Sequence, residues 1–144
     1  MGDRCSMSVR VRADQIELFC EASGLCEPDD FELDGNTADA ELEEVNYGGY
    51  NGLVEAAQQG VVFVGNHGAG DEYGPGRFAG VCGRYDECRV DYETGNLIAP
   101  VRDDGTVSKT VLRDLKKFIA LYKRAEAALA AKNPPKPKRE KVKS

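Results

Sequence analysis

An apolar stripe along residues 109–132 constrains the fold of this chain more than any other feature. Its members recur at alternating steps of four and three residues: Val111, Leu115, Phe118, Tyr122, Ala125 and Leu129. That spacing places them on one side of an α-helix, which Leu112 and Ile119 widen, and Ser108 is a suitable N-cap. We therefore predict a long C-terminal helix that packs across a sheet. A share in a homodimer interface is the alternative.

The remaining segments carry shorter signals. Apolar and polar residues alternate over 7–12, which predicts a half-buried strand, and the β-branched run Val61–Val64 predicts a buried one. Residues 14–24 fit a short helix capped by Asp14 and ended by Gly24, although they also alternate as a strand would. A further helix is expected over 51–59, followed by a glycine-rich loop over 65–76.

Together these elements predict an α+β fold. We expect a small, mostly antiparallel sheet with a short central helix and the long C-terminal helix packed on it, in one domain over residues 1–132. The segment "ETGN" at 93–96 predicts a hairpin turn between two of the strands. Residues 133–144 are rich in proline and lysine and poor in apolar groups, so we expect a disordered basic tail.

Apolar runs are too short for a membrane span, the longest being Val61–Val64. The N-terminal residues contain no apolar core of a secretory signal. We expect a cytoplasmic protein that does not contact a membrane.

Charge is distributed very unevenly along the chain. Residues 1–107 contain seven basic and twenty-two acidic residues, a net charge of −15, whereas residues 108–144 contain twelve basic and three acidic residues, a net charge of +9. Nine of the acids fall within residues 27–44, which contain no base. Such asymmetry bears on partners rather than on fold.

The acidic segment contains the spacing of a calcium-binding loop. Carboxylates and a glycine stand at positions one, three, five, twelve and six: Asp30, Glu32, Asp34, Glu41 and Gly35. Over these dozen residues the chain resembles an EF-hand, but Pro28 interrupts the entering helix and Thr37 replaces the usual apolar residue at position eight. The other interpretation is a strand that ends in an Asp-Gly turn, with its acids on a solvated face. We expect no bound metal and no cofactor.

Five cysteines occur, four of them in two equally spaced pairs: Cys20 with Cys26, and Cys82 with Cys88. Four thiolates could complete a zinc site, but the five intervening residues in each pair exceed the spacing usual for structural zinc. We interpret them as small buried side chains with reduced thiols, with zinc or disulfides as alternatives.

The only histidine, His67, lies in the glycine-rich loop. Asp71, Glu72 and Tyr73 follow it and Arg77 is near, so a base, a carboxylate and an anion-binding group share one loop. A phosphate-binding loop is disfavoured because two acids directly follow Gly70. These residues are our candidate small-molecule or catalytic site, although a hydrogen-bonding loop histidine is the simpler interpretation.

The leading functional hypothesis is a non-enzymatic binding protein that presents an acidic, nucleic-acid-like surface to a protein partner. Its candidate partner-binding residues are Asp30, Glu32, Asp34, Glu41, Glu43, Glu44, Tyr47 and Tyr50. In general character the chain resembles small accessory proteins of phages and mobile elements. The alternatives are a small-molecule site or enzyme around His67 and a nucleic-acid binder that uses the basic residues of 109–144.

Overall fold

Six strands form one antiparallel sheet. The computed structural model describes residues 4–70 and 73–131. In chain order the elements are β1 (Arg4–Arg12), α1 (Ile16–Ser23), β2 (Phe31–Asp34), β3 (Thr37–Asn46), α2 (Tyr50–Gln58), β4 (Phe63–His67), β5 (Gly76–Val81), β6 (Arg84–Arg89) and α3 (Lys109–Ala130). The order across the sheet is β2-β3-β1-β4-β5-β6, and each neighbouring pair is antiparallel. The predicted α+β class, with its antiparallel sheet and long C-terminal helix, is confirmed. The predicted tail lies outside the described residues.

Helices α1 and α2 cover one face of the sheet. Neighbouring side chains on a strand project to opposite faces, so alternate apolar residues of β1, β4 and β5 meet these helices. Phe19 of α1 and Leu53 of α2 are fully buried in one cluster with Val9, Phe63 and Phe78. The ring of Phe63 lies edge-on to Phe19 and Phe78, with centroid separations of 5.6 and 5.9 Å. This cluster is the larger of the two cores.

Helix α3 covers part of the opposite face. Its apolar residues Leu121, Ala125 and Leu129 pack against residues of β4 and β5, including Val64 and Val81. The predicted stripe is therefore confirmed over its second half, where the helix lies on the sheet. The strands β2, β3 and β1 receive no comparable cover from α3.

The predicted widening of the stripe is wrong. Leu112 and Ile119 are 45% and 38% exposed. Each lies one position after a stripe residue, and one position turns a side chain by about 100° around the helix, away from the sheet. The homodimer interface through α3 stays a prediction.

Both ends of α3 are capped by side chains. The Ser108 hydroxyl accepts a hydrogen bond from the Val111 amide at 3.0 Å, as predicted. At the other end the buried Arg12 of β1 donates to the carbonyl oxygens of Ala128 and Ala131 at 2.7 and 2.8 Å. A cation at these carbonyls offsets the unpaired acceptors and the negative end of the helix dipole. The last turn of α3 is thereby fixed beside the end of β1.

Helix α1 begins later than the sequence suggests. A 3-10 turn over Ala13–Gln15 precedes it, and the predicted Asp14 cap is wrong because that carboxylate binds Arg12 at 3.0 Å instead. Gly24 ends the helix with a φ of 68°, as expected.

The strand β4 continues into the predicted loop. It runs from Phe63 to His67, so residues 65–67 belong to the sheet. Gly65 is needed for packing rather than for a turn, because a Cβ there would lie 2.5 Å from Cζ of Phe78. The strand predicted over Val61–Val64 is accordingly shifted towards the C-terminus.

Of the two predicted turns, the Asp-Gly turn is confirmed as a hairpin and the "ETGN" turn only in part. Residues 31–46 form a hairpin whose turn contains Gly35 at a φ of 67°. The "ETGN" segment closes only one isolated bridge, between Val90 and Leu97, with Gly95 at a φ of 75°.

In the described ranges, 4–70 and 73–131, no helix has the length and hydropathy of a membrane span.

Candidate functional site

The first candidate region is the face of β2 and β3 that α3 leaves open. Because the two strands pair antiparallel, Glu32 lies opposite Asp39 and Asp34 lies opposite Thr37. Glu41 follows Asp39 by two positions and therefore projects to the same side. We call Glu32, Asp34, Asp39 and Glu41 the acidic face. The hairpin thus collects on one surface four carboxylates that span ten residues of sequence.

Polar groups from β1 contact this face from one side. The Arg10 guanidinium donates to both carboxylate oxygens of Asp39, at 2.7 and 3.2 Å, and the Ser8 hydroxyl donates to Glu41 at 2.6 Å. The ion pair with Asp39 raises the pKa of Arg10. Beyond β1, Tyr122 and Glu126 of α3 border a shallow groove of about 440 Å³. The acids at the β1 side are partly neutralised, whereas Glu32 and Asp34 on the edge strand form no ion pair with another described residue.

The other acids of the predicted surface lie beside or away from the acidic face. Asp30 is in a 3-10 turn, where its carboxylate accepts from the Glu27 amide at 2.9 Å. Glu43 and Glu44 lie at an irregularity between the pairs Met7–Leu42 and Cys5–Val45. Glu44 has a φ of 60° and forms an ion pair with Arg4.

The described residues do not bring together the ligands of the calcium loop or of the four-cysteine zinc site that the sequence suggested as alternatives. The hairpin distributes the carboxylates of residues 30–41 over a turn and two strands, so the strand-and-turn interpretation describes this segment. Cys20 and Cys26 lie together, with their sulfur atoms 3.2 Å apart, while Cys82 and Cys88 belong to the β5–β6 hairpin. Within the described residues, no three His, Cys, Asp or Glu side chains form a group that could hold a metal ion.

The second candidate region surrounds His67, at the end of β4 on the α1–α2 side of the sheet. The imidazole is 8% exposed, stacks on Phe78 at 6.4 Å between ring centroids, and meets Tyr73 edge-on at 5.6 Å. Nδ1 lies 2.9 Å from the Gly68 carbonyl oxygen, which can only accept, so Nδ1 carries the proton. In the neutral ring Nε2 is then an acceptor. Gly76 is required beside it, because a Cβ there would lie 2.8 Å from Nε2.

Strand β6 brings a carboxylate to the same ring. Glu87 Oε1 lies 4.0 Å from Nε2 of His67 and accepts a hydrogen bond from the Tyr85 hydroxyl at 2.6 Å. Burial, followed by the nearby charge of Glu87, raises the pKa of Tyr85, which keeps its hydroxyl protonated as a donor. Tyr85, Glu87 and His67 therefore form a chain of polar groups that leads from the core to a cavity.

Tyrosines line the mouth of this cavity of about 290 Å³. Tyr47 and Tyr50 are 56% and 51% exposed, and the ring of Tyr47 lies 6.4 Å from that of Tyr73. Tyr47 has a φ of 50°, a conformation that costs a non-glycine residue free energy. Arg89 and residues 74–76 complete the lining. We call this the His67 cavity.

The structure brings together only part of the predicted small-molecule site. His67 and Tyr73 are in contact, but Arg77 projects to the opposite face, where its guanidinium lies 5.3 Å from the Tyr122 ring and donates to the Gly95 carbonyl at 2.7 Å. Its assignment to the His67 site is therefore wrong, because it follows Gly76 by one position on a strand. Asp71 and Glu72 lie outside the described residues. Tyr47 and Tyr50, which are also candidate partner-binding residues, line the His67 cavity together with Tyr73.

Sequence reasoning missed Glu87 and Arg89. They alternate along β6 on the face that carries Tyr85, and that alternation is visible in the sequence. What the sequence does not contain is the register, which places Glu87 opposite Phe78 and Arg89 opposite Gly76.

A third groove separates β6 from the first half of α3. It has a volume of about 410 Å³ and is lined by apolar residues together with charged residues of β6 and α3: Asp86, Glu87, Arg89, Asp114 and Lys117. Burial raises the pKa of Asp86, which accepts a hydrogen bond from the Glu87 amide at 2.8 Å. This groove is mixed in polarity and contains no histidine.

Comparisons with known proteins return no matching family model, no matching curated protein and no matching solved structure.

Proposed function

We propose that this chain is a non-enzymatic binding protein whose acidic face engages a basic surface of a protein partner. One observation carries the proposal: α3 covers the β4–β5 side of its sheet face and leaves bare the side where four carboxylates lie in register. A sheet face with no helix on it is accessible to a partner. Carboxylates on it attract lysine and arginine side chains.

The arrangement of these carboxylates costs stability. Glu32 and Asp39 are directly opposite each other, and like charges in a cross-strand pair are destabilising by several tenths of a kcal/mol. Arg10 neutralises Asp39 but does not bind Glu32. A basic side chain from a partner would relieve this repulsion, so binding and local stability are coupled.

Long-range charge acts in the same direction. Residues 1–107 carry a net charge of −15, which accelerates encounters with a basic partner and disfavours an acidic one. Carboxylates at alternate positions of a strand are about 7 Å apart, which gives a regular array of negative charge. Such an array resembles the regularly spaced phosphates that a nucleic-acid backbone would present to a basic groove.

The test uses a fluorescein-labelled oligolysine peptide as the probe and fluorescence anisotropy as the readout. The variant Glu32→Gln/Glu41→Gln/Glu43→Gln removes three acids on or beside the acidic face, while glutamine preserves the acceptor for Ser8. The control Glu17→Gln/Glu21→Gln/Glu55→Gln changes the net charge equally, on exposed helix positions of the other side. We expect the first variant to bind oligolysine at least about tenfold more weakly than the control. Equal affinities would show that only net charge matters and would refute the proposed site.

The nucleic-acid alternative rests on exposed bases of α3, including Lys116, Lys123 and Arg124. A labelled DNA duplex in the same assay tests it. Salt-dependent binding that is lost when residues 133–144 are deleted would favour this alternative over the acidic face.

A further inference from the structure

The His67 cavity contains two opposite charges that do not pair with each other. Glu87 and Arg89 occupy alternate positions of β6, with Cα atoms about 7 Å apart, and project to the same side. Glu87 binds the Tyr85 hydroxyl and faces His67, whereas the Arg89 side chain lies against Gly74, with Nη1 3.1 Å from where a Cβ would be. Among residues 4–70 and 73–131, no carboxylate forms an ion pair with Arg89. Both charges therefore remain available to a ligand.

We propose that the His67 cavity binds a small zwitterion whose ammonium group and carboxylate are attached to the same carbon, as in an amino acid or its N-methylated form. The ammonium group lies at Glu87 and the carboxylate at Arg89. This site is separate from the acidic face, on the other side of the sheet.

The positions of the two residues suit a short ligand. Alternate residues of a strand have Cα atoms about 7 Å apart, so the flexible side chains of Glu87 and Arg89, on one side of β6, can both reach a zwitterion whose charges are separated by one carbon. A simple cation would leave Arg89 without a partner, and a simple anion would leave Glu87 without one.

The lining of the cavity favours the cationic end of the ligand near His67. The rings of Tyr47, Tyr50 and Tyr73 line the cavity, and aromatic rings of this type attract ammonium groups. A cavity of about 290 Å³ is at the lower end for small-molecule sites, which fits a ligand of a few heavy atoms rather than a nucleotide.

Three probes of matched shape separate the contributions of charge. Glycine betaine carries both charges, tert-butylacetate replaces its quaternary nitrogen with carbon, and choline lacks the carboxylate. Titrations of the full chain are followed by isothermal calorimetry and by the fluorescence of its tyrosines. We expect saturable binding of glycine betaine, weaker by about tenfold for each analogue with one charge. An added arm with L-valine distinguishes a free ammonium group from a methylated one.

Single substitutions then assign each charge. Glu87→Gln retains an acceptor for Tyr85 and should reduce the affinity for betaine to that for tert-butylacetate. Arg89→Gln should reduce it to that for choline. The controls Glu93→Gln and Arg84→Gln remove exposed charges outside the cavity and should leave the affinity unchanged.

Either of two results would overturn the proposal: glycine betaine and L-valine bind no more tightly than the singly charged analogues, or Glu87→Gln and Arg89→Gln bind them as the controls do. Circular dichroism of each variant verifies folding. The variant of Glu32, Glu41 and Glu43 should bind betaine normally, so failure of the acidic-face proposal and failure of this one are distinguishable.

Discussion

Glu32 on the edge strand β2 lies directly opposite Asp39 on β3, in the half of the sheet that α3 leaves open. The neighbouring Arg10 forms a two-pronged ion pair with Asp39 and none with Glu32. The chain thus has an acid at a position where a base would improve cross-strand pairing. This unfavourable charge is open to a basic group of a partner.

Replacement of this acid should separate stability from binding. Glu32→Lys converts a like-charge pair into an opposite-charge pair, so we expect the free energy of unfolding to rise by about 0.5 kcal/mol while oligolysine binding weakens. Urea denaturation and anisotropy measure the two effects. Glu17→Lys is the control, since it makes the same charge change on α1. A Glu32→Lys protein that is less stable and binds as tightly as the control would contradict this account.

The second prediction compares two arginines of β1: Arg12, which caps α3, and Arg10, which does not. Arg12→Met removes charged hydrogen bonds to Ala128 and Ala131 from a side chain that is 2% exposed. We expect a loss of about 3 kcal/mol in urea denaturation, because the buried Ala128 carbonyl and the part-buried Ala131 carbonyl both lose their donor. Arg10→Met removes an exposed ion pair and should cost less than about 1 kcal/mol. Equal losses would show that Arg12 does not anchor the helix.

The thiols of Cys20 and Cys26 should be slow to alkylate in the folded protein. Burial raises the pKa of both thiols, and for Cys26 the adjacent Cys20 raises the pKa further. Because the thiolate is the reactive form, iodoacetamide should modify these two residues far more slowly in buffer at pH 8 than in urea. Peptide mass spectrometry reports the rate at each site. Equal rates in buffer and in urea would show that the burial seen here does not protect them.

The half-buried carboxyl of Asp86 predicts a pH dependence of stability. Burial raises the pKa of Asp86 in the folded protein. The contribution of this carboxyl to the free energy of unfolding is therefore most favourable below the unfolded pKa of about 4, and it is lost as pH rises through the folded pKa. Asp86→Asn keeps the acceptor for the Glu87 amide and removes this loss. We expect the variant to be more stable than the parent at pH 7, by less than about 1 kcal/mol, with the difference vanishing near pH 3. A variant that is less stable at pH 7 would indicate that Lys117 outweighs the burial.

The sequence was sufficient for elements whose signals are local. Periodicity identified α3 and its Ser108 cap, and the Asp-Gly pair identified the turn at Gly35. The extent of β4 could not be predicted, because glycine is typical of loops. Gly65 belongs to the strand because the ring of Phe78, distant in sequence, packs where a Cβ would be.

The candidate sites depended on register, which is not a local property. His67 and Arg77 are near in sequence, but the pairing of His67 with Gly76 sends Arg77 to the opposite face. Glu87 and Arg89 join His67 because β6 pairs with β5, which pairs with β4. Similarly, the acidic segment could be recognised by composition, while the separation of Glu32 from Asp30 and Glu44 required the hairpin geometry.

The most direct test of the acidic face is a chemical-shift map of oligolysine on the nitrogen-15-labelled protein. We expect perturbed amides to concentrate on residues 31–42 and on the adjacent part of β1, with the amides of α1 and α2 unchanged. Perturbations spread over all exposed acids, or confined to residues outside β1, β2 and β3, would contradict the assignment of binding to this face.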